Sequence, residues 1–214
     1  MSAPSVLVLA CGALARELTT LFKVNDLTNA KVEYLPATLH NRPKLISRLV
    51  RERLIEVRGS YDRVLVGYAD CGTGGEIDRV CAEFDVERLP GSHCYEFYLP
   101  AGAFEVLHDD EPGTFYLTDY LATHFERLVI DGLGITEHPE LFDTYFANYK
   151  KMVFISQAGE AKGIDAAASA AARLKLPLEI VEAGWGQLGA SVAALSSETV
   201  IGAHEASTPV MVSR

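Results

Sequence analysis

The sequence predicts an α/β fold: a three-layer, mainly parallel, Rossmann-like sheet with a helical, aromatic-rich cap segment. Short continuous apolar runs, as at residues 5–10 and 64–68, are typical of strands covered on both faces. Between such runs lie segments with a helical period of apolar residues, of which residues 45–57 are the clearest. Alternation of the two patterns is typical of βαβ units, and therefore of a parallel sheet with helices on both faces.

The individual elements follow in chain order. Strands are predicted at residues 5–10, 31–35, 64–68, 86–89, 152–156 and 178–181. Helices are predicted at residues 13–22, 45–57, 77–84, 118–128, 138–151 and 164–174. We expect the strands near residues 5, 31, 61 and 152 to join one sheet. We also expect one domain over residues 1–214, in which residues 100–151 form a cap or insertion over one edge of the sheet.

The bulk composition excludes several classes of protein. The chain has 214 residues, of which 49% are hydrophobic and 22% charged, as in ordinary globular proteins. Its net charge of -10 argues against a nucleic-acid surface, which needs clustered Lys and Arg. No apolar run approaches the roughly 20 residues that span a bilayer. We therefore expect a cytoplasmic protein that acts on a small molecule, with cysteines that are thiols or metal ligands rather than disulfides.

Three cysteines, Cys11, Cys71 and Cys94, each come just after a predicted strand. The carboxyl ends of parallel strands meet at one edge of a sheet, so we expect these thiols, and with them His93, to form one metal site. Helix N-termini favour thiolates there, and soft thiolates suit zinc or the iron of an iron–sulfur cluster. Three protein ligands would leave one coordination position open, as in catalytic zinc sites. The alternatives are a metal-free nucleophilic or redox thiol, or simple packing, which we expect for Cys81.

The loop that follows Cys71 is rich in glycine. Its residues Gly72, Thr73, Gly74 and Gly75 offer backbone amides and a hydroxyl that could bind a phosphate or carboxylate at the start of a helix. The loop lacks the lysine of a P-loop, so nucleotide binding is not indicated. A tight strand-to-helix turn with positive φ angles explains the glycines equally well.

Further polar residues lie near the same predicted edge. His40, Asp70 and Glu96 are candidates for acid–base catalysis or for orienting a ligand; turn formation and ion pairing are their alternatives. Tyr116 and Asp119, in the predicted cap, are expected to contact a bound ligand. For this segment the alternatives are an N-cap at Thr118 or Asp119 and an interface between two copies of the chain.

Several motifs resemble those of one family. They are ACGALARE at residues 10–17, LPATLHNRP at 35–43, YADCGTGG at 68–75, LPGSHCYEFY at 89–98, PGTFYLTD at 112–119 and YFANYKK at 145–151. They resemble the bacterial and archaeal domain-of-unknown-function family 1638. The resemblance implies no activity, but it suggests an association with corrinoid-dependent methyl-transfer systems.

Residues and resemblance together favour a metal-dependent enzyme with a thiolate-rich open site, acting on a small methylated or thiol-bearing substrate. Zinc is the expected cofactor, with an iron–sulfur cluster or a corrinoid as alternatives. An accessory protein that holds such a cofactor for a corrinoid methyl-transfer partner is the second interpretation. A metal-free thiol or redox protein is the third.

Overall fold

A computed structural model describes residues 5–157 and 160–195, and these residues contain two parallel sheets. The first sheet has the strand order β2-β1-β3-β4, and all its strands are parallel. Its strands are β1 (Val6–Cys11), β2 (Ala30–Leu35), β3 (Arg63–Gly67) and β4 (Glu87–Arg88). The central strand β1 is buried along its whole length, as its unbroken apolar sequence predicts.

Helices connect these strands. They are α1 (Ala15–Val24), α2 (Lys44–Glu56) and α3 (Glu76–Phe84), each close to its predicted position. Short 3-10 turns lie at Gly12–Leu14, Ala37–Asn41 and Glu96–Tyr98. The turns at Gly12–Leu14 and Ala37–Asn41 follow directly on β1 and β2, so they lie at the carboxyl edge of the sheet.

The second sheet has the order β5-β6-β7 and is also parallel throughout. Its strands are β5 (Thr114–Thr118), β6 (Lys151–Ser156) and β7 (Leu178–Glu182). The helices after β4 are α4 (Ala103–Asp110), α5 (Asp119–Thr123), α6 (Phe142–Phe146), α7 (Ala161–Leu174) and α8 (Gly186–Ala194). Of these, α4 and α8 pack in the core cluster of the first sheet. A π-helix at Glu126–Ile130 and a 3-10 turn at Pro139–Leu141 complete this half.

The structure confirms the α/β class and corrects the expectation of one sheet. The strand at residues 152–156, expected in the same sheet as β1, pairs instead with β5 and β7. The physical reason is that residues 114–118, within the segment expected as a cap, form a strand made mostly of β-branched and aromatic residues. The segment expected as a cap therefore supplies a strand as well as helices α4, α5 and α6.

The two sheets share part of their core. Val153 and Ile155 of β6 belong to a hydrophobic cluster built mainly from the first sheet and its helices. Their neighbours Met152 and Phe154 belong to a second cluster, with α7 and the π-helix. Since successive strand residues face opposite sides, β6 is covered on both faces. Within the described residues, no helix is long and apolar enough to cross a membrane.

Candidate metal site

Each strand of the first sheet is followed by, or ends in, a residue that can bind a metal. Cys11 is the last residue of β1, and His40 lies in the 3-10 turn after β2. Cys71 and Cys94 lie in the loops that follow β3 and β4. Because the strands are parallel, all four residues lie at the carboxyl edge of the sheet.

Three of these residues form a compact group. The Sγ atoms of Cys71 and Cys94 are 2.8 Å apart, and Nε2 of His40 is 3.1 Å from Sγ of Cys94. The ligand atoms of His40, Cys71 and Cys94 all lie within 4.8 Å of one another, so these three residues could hold a metal ion. Two thiols and one imidazole are a ligand set found in catalytic zinc sites.

The orientation of the His40 ring is fixed by the backbone. Its Nδ1 lies 3.0 Å from the carbonyl oxygen of Ala37, which can only accept a hydrogen bond. Nδ1 therefore donates, and in the neutral form that binds a metal the ring has its lone pair on Nε2, the nitrogen that faces Cys94. A metal-binding histidine usually has its second nitrogen held in this way by a carbonyl or carboxylate.

The two neighbouring thiols share one proton. The hydrogen bond from Cys94 lowers the pKa of Cys71 to about 5, against the opposing effect of burial and with further help from His40. The same hydrogen bond, together with burial, raises the pKa of Cys94 well above its usual range. The pair is therefore one thiolate and one thiol. Burial lowers the pKa of His40, but hydrogen bonds to Cys11 and Cys71 outweigh it and raise that pKa to about 11.

The backbone at Cys71 is in a conformation unusual for a cysteine, with φ at +50°. The glycine loop after it is organised by Asp70, whose carboxylate accepts hydrogen bonds from the amides of Gly74 and Gly75 at 3.1 and 2.7 Å. The Thr73 hydroxyl also donates to Asp70, at 2.7 Å. The loop's own carboxylate thus takes the place expected for a bound anion.

The glycines of this loop have the geometry of a tight strand-to-helix turn. Gly72, Gly74 and Gly75 all have positive φ angles, between 66° and 80°. The turn ends where α3 begins, at Glu76. The arrangement supports a structural role for the loop, which gives Cys71 its position at the strand end.

The sequence profile of one family, described as "Protein of unknown function (DUF1638)", matches residues 34–192. The chain belongs to this family. The matched region includes His40, Cys71 and Cys94, whereas Cys11 precedes it. No curated protein matches the chain.

In this DUF1638 protein, two of the predicted metal ligands lie outside the compact group. The Sγ of Cys11 is 3.9 Å from Nδ1 of His40 and accepts a hydrogen bond from the amide of Ala13 at 3.3 Å. Cys11 thus lies on the side of the ring away from Cys94 and caps the 3-10 turn. The ring of His93 is exposed and stacks against Tyr95, with centroids 5.0 Å apart. His40, predicted as an acid–base residue, is the imidazole that joins the group.

The remaining predicted site residues of the DUF1638 protein surround the group less directly. Glu96 accepts a hydrogen bond from the amide of Ser92 at 2.7 Å, so it orders the loop that bears Cys94. Tyr116 is buried and stacks against Tyr95, with centroids 5.2 Å apart. Asp119 lies in the second half, where its carboxylate accepts from the amide of Gln157 at 2.6 Å.

The expected helix cap and the expected packing cysteine are both present. Thr118 is the N-cap of α5, and its hydroxyl accepts from the amide of Leu121 at 3.3 Å. Cys81 is buried on α3, where burial raises its pKa to about 11.

Sequence reasoning missed Tyr68. Its side chain is fully buried, and its ring stacks against that of His40 with centroids 6.3 Å apart. Burial raises its pKa, and the charges of Cys11, Cys94 and Cys71 and a hydrogen bond with Cys11 add to the effect. Its position in the sequence could have indicated that it lies near the site, because Tyr68 comes directly after β3 and three residues before Cys71.

Proposed function

We propose that this protein binds zinc through His40, Cys71 and Cys94, and that the metal activates a small thiol-bearing or methylated substrate. The observation that supports this most is the meeting of three ligand atoms within 4.8 Å, supplied by the loops after three different strands. The imidazole of His40 is also held by the carbonyl of Ala37, as is usual for metal-binding histidines.

The ligand types favour zinc. Thiolates and imidazole together suit zinc, whereas magnesium and calcium prefer oxygen ligands. Within the described residues, the group contains no carboxylate. A four-thiolate iron–sulfur cluster would need more cysteines than the two in the group.

The position of Cys11 supports an open site. Cys94 approaches Nε2 of His40, while Cys11 approaches Nδ1, on the other side of the ring. A metal bound at Nε2 would therefore have three close protein ligands, which is the arrangement of catalytic zinc. The fourth position is the one that we assign to the substrate.

Each part of the site would have a distinct task in the reaction. When bound, the metal would supply a strong lowering of the pKa of a coordinated thiol, which is then a nucleophile at neutral pH. His40, Cys71 and Cys94 would hold the metal in place. Aromatic side chains near Cys94, among them the half-buried Tyr95 and the buried Tyr116, would exclude water from one side of the site.

A second candidate rests on the short distance between Cys71 and Cys94. Two sulfurs 2.8 Å apart need little movement to form a disulfide bond. In a metal-free protein, hydrogen peroxide would take two electrons and one proton from the thiol–thiolate pair and a second proton from solvent, so that an S–S bond and two molecules of water form. A dithiol redox function of this kind needs no metal, so metal analysis separates it from the first proposal.

Metal analysis of protein purified without oxygen tests the proposal. We expect about one zinc per chain, and a Co²⁺-substituted protein with the absorption bands of a tetrahedral thiolate site. Cys71→Ser, Cys94→Ser and His40→Ala should each lose the metal. Cys81→Ser is the matched control, since Cys81 is buried on α3 away from the group.

Other results would contradict the zinc proposal in distinguishable ways. A brown protein would indicate an iron–sulfur cluster, and a red or orange one a corrinoid held for a methyl-transfer partner. Wild-type protein that binds neither zinc nor Co²⁺ but forms a reversible disulfide would favour the redox candidate. Metal binding that survives all three substitutions would mean that the ligands lie elsewhere.

A further inference from the structure

The 3-10 turn that bears His40 is tied to the second half of the molecule. This turn, Ala37–Asn41, follows β2 of the first sheet. The side-chain amide of Asn41 donates a hydrogen bond to the carbonyl oxygen of Leu128 at 3.2 Å. Leu128 lies in the π-helix, whose last two residues belong to the core cluster of the second sheet. The residue next to His40 is therefore held by a segment far away in the chain.

The second half leaves space for the Asn41 amide. A Cβ added at Gly132 would collide with Nδ2 of Asn41 and with the carbonyl oxygen of Leu128, so a side chain there would displace the contact. The acceptor lies in a π-helix, a rare conformation that is often found at functional sites. Asn41 itself is exposed, so water can replace either partner and the hydrogen bond breaks at low cost. The contact is therefore suited to open and close.

The same turn covers the end of β1. Cys11, the last residue of β1, is completely buried, and its Sγ lies 3.9 Å from Nδ1 of His40. A Cβ added at Gly12 would come within 3.8 Å of the amide nitrogen of Ala37, so the chain after β1 packs closely against the start of the turn. On the other side of the imidazole, Nε2 faces Cys94. Movement of the turn would therefore uncover Cys11 and withdraw His40 from Cys94 at the same time.

We propose that the turn Ala37–Asn41 is a gate over the strand ends, and that the hydrogen bond from Asn41 to Leu128 holds it closed. In the open state the turn has left the π-helix, and a metal ion or another reagent reaches the strand ends. For the metal, the inference rests on the proposed zinc site and specifies how metal enters and leaves it. The second half would thus regulate exchange at a site whose ligands all come from the first half.

A gate and a contact that positions a ligand differ in what they change. Weakening a gate raises the rates of binding and release by the same factor, and it leaves the Kd unchanged while the closed state remains dominant. Weakening a contact that positions His40 for the metal raises the Kd instead. The loss of one neutral hydrogen bond corresponds to about a two- to tenfold change in an equilibrium constant. We expect the gate to open more often by this factor when the Asn41 amide is removed.

Alkylation of Cys11 tests the gate without a metal. The protein carries Cys71→Ser and Cys94→Ser, so that no adduct forms at that pair first, and mass spectrometry follows the reaction of the other cysteines with iodoacetamide. We expect Asn41→Ala and Asn41→Leu, which both lack the amide, to react at Cys11 about two- to tenfold faster. Cys81, which is buried on α3, is the internal control and should react at an unchanged rate.

Cobalt exchange in the protein with its natural cysteines tests the gate at the metal site. Rapid mixing with Co²⁺ gives the rate of uptake, and an excess of EDTA gives the rate of release. We expect Asn41→Ala to raise both rates by the same factor and to leave the Kd for Co²⁺ unchanged. Asn148→Ala, at an exposed position, is the matched control and should change neither rate.

The outcomes separate the gate from the zinc proposal. Equal acceleration at Cys11 and Cys81 in Asn41→Ala would indicate a general loss of stability and overturn the gate, as would an unchanged rate at Cys11. A higher Kd for Co²⁺ with an unchanged rate of uptake would make Asn41 a positioning residue and would also overturn the gate. Wild-type protein that takes up no Co²⁺ would contradict the zinc proposal alone, because the labelling of Cys11 still decides whether the turn opens.

Discussion

Asp70 and Cys71 show how one residue holds its neighbour in a strained conformation. The left-handed backbone of Cys71 is unfavourable for a residue with a side chain, and it persists only when the surroundings fix it. Asp70 provides that restraint by accepting hydrogen bonds from Thr73, Gly74 and Gly75. The structure thus shows Asp70 shaping the loop, while its role in acid–base chemistry stays a prediction.

Removing this carboxylate should loosen the loop. We expect Asp70→Ala to lower the free energy of unfolding by about 1–3 kcal/mol, because hydrogen bonds to a charged acceptor are lost. Metal affinity should fall as well, since Cys71 is no longer held in position. Urea unfolding and cobalt titration measure the two effects. Asp109→Ala, at an exposed position on α4, is the control and should change neither stability nor metal affinity. If Asp70→Ala also changes neither, the loop holds its shape without the carboxylate.

At the scale of secondary-structure elements, one ion pair joins β2 to α2. Arg53 donates through two nitrogens to the two carboxylate oxygens of Glu33, at 2.5 and 2.8 Å. Such two-pronged contacts are stronger and more directional than ordinary surface pairs. β2 is an edge strand of the first sheet, so this contact helps to hold it against α2.

The Glu33 contact predicts a dependence of stability on pH. Hydrogen bonds from Arg53 and Lys31 lower the pKa of Glu33 to about 2. Because the folded protein favours the carboxylate, the stabilisation is complete above the ordinary pKa of about 4.3 and is lost as the pH falls towards 2. Glu33→Gln should therefore be less stable than wild type at pH 7, and the difference should shrink over this interval in chemical unfolding experiments.

Arg53→Gln supplies the control for that experiment. It removes the same contact from the other side, so the double variant with Glu33→Gln should lose less than the sum of the two single losses. Strict additivity at pH 7 would contradict the coupling. So would a difference between wild type and Glu33→Gln that stays constant down to pH 2.

Most elements could be predicted from the sequence, because continuous apolar runs and helical periods are local signals. The first three strands and α1 to α3 lie close to their predicted positions. The second sheet could not be predicted, since the choice of partner for β6 depends on packing between distant segments. β5 is only five residues long and lies within an aromatic stretch, so no alternation marked it as a strand.

The candidate site was predicted in location but only partly in composition. Parallel strand ends brought Cys71 and Cys94 together, as expected from their positions alone. Which side chains turn towards each other depends on loop conformation, which the sequence does not reveal. The positive φ of Cys71 and the 3-10 turn that bears His40 are such features. For the same reason Cys11 and His93, predicted as ligands, lie outside the compact group.

At the scale of the whole molecule, the shared core links the site to the second sheet. Val153 and Ile155 of β6 pack in the cluster that contains Cys11 and Cys71. A prediction of one domain implies that the two sheets unfold together, and metal binding offers a way to test it.

Metal bound at the first sheet should stabilise the second. At a free metal concentration about 100 times the Kd, we expect the free energy of unfolding to rise by about 2.7 kcal/mol. Hydrogen exchange should show increased protection in the amides of both β1 and β6. Cys71→Ser is the control and should gain no protection on addition of metal. Protection confined to the first sheet would mean that the two halves unfold separately, and that the single-domain prediction is wrong.

His40 contacts a residue in the loop of a distant strand. His40 follows β2 and Cys94 follows β4, the two outermost strands of a four-stranded sheet about 14 Å wide. The Nε2 atom of His40 is nevertheless 3.1 Å from the Sγ atom of Cys94, so the two loops extend inward over the ends of β1 and β3. Cys11, at the end of β1, is completely shielded, whereas Cys94 is half-buried. An alkylating reagent should therefore label the Cys71–Cys94 pair first and reach Cys11 only after the two loops have moved apart, so the rate of Cys11 labelling measures how often they do so.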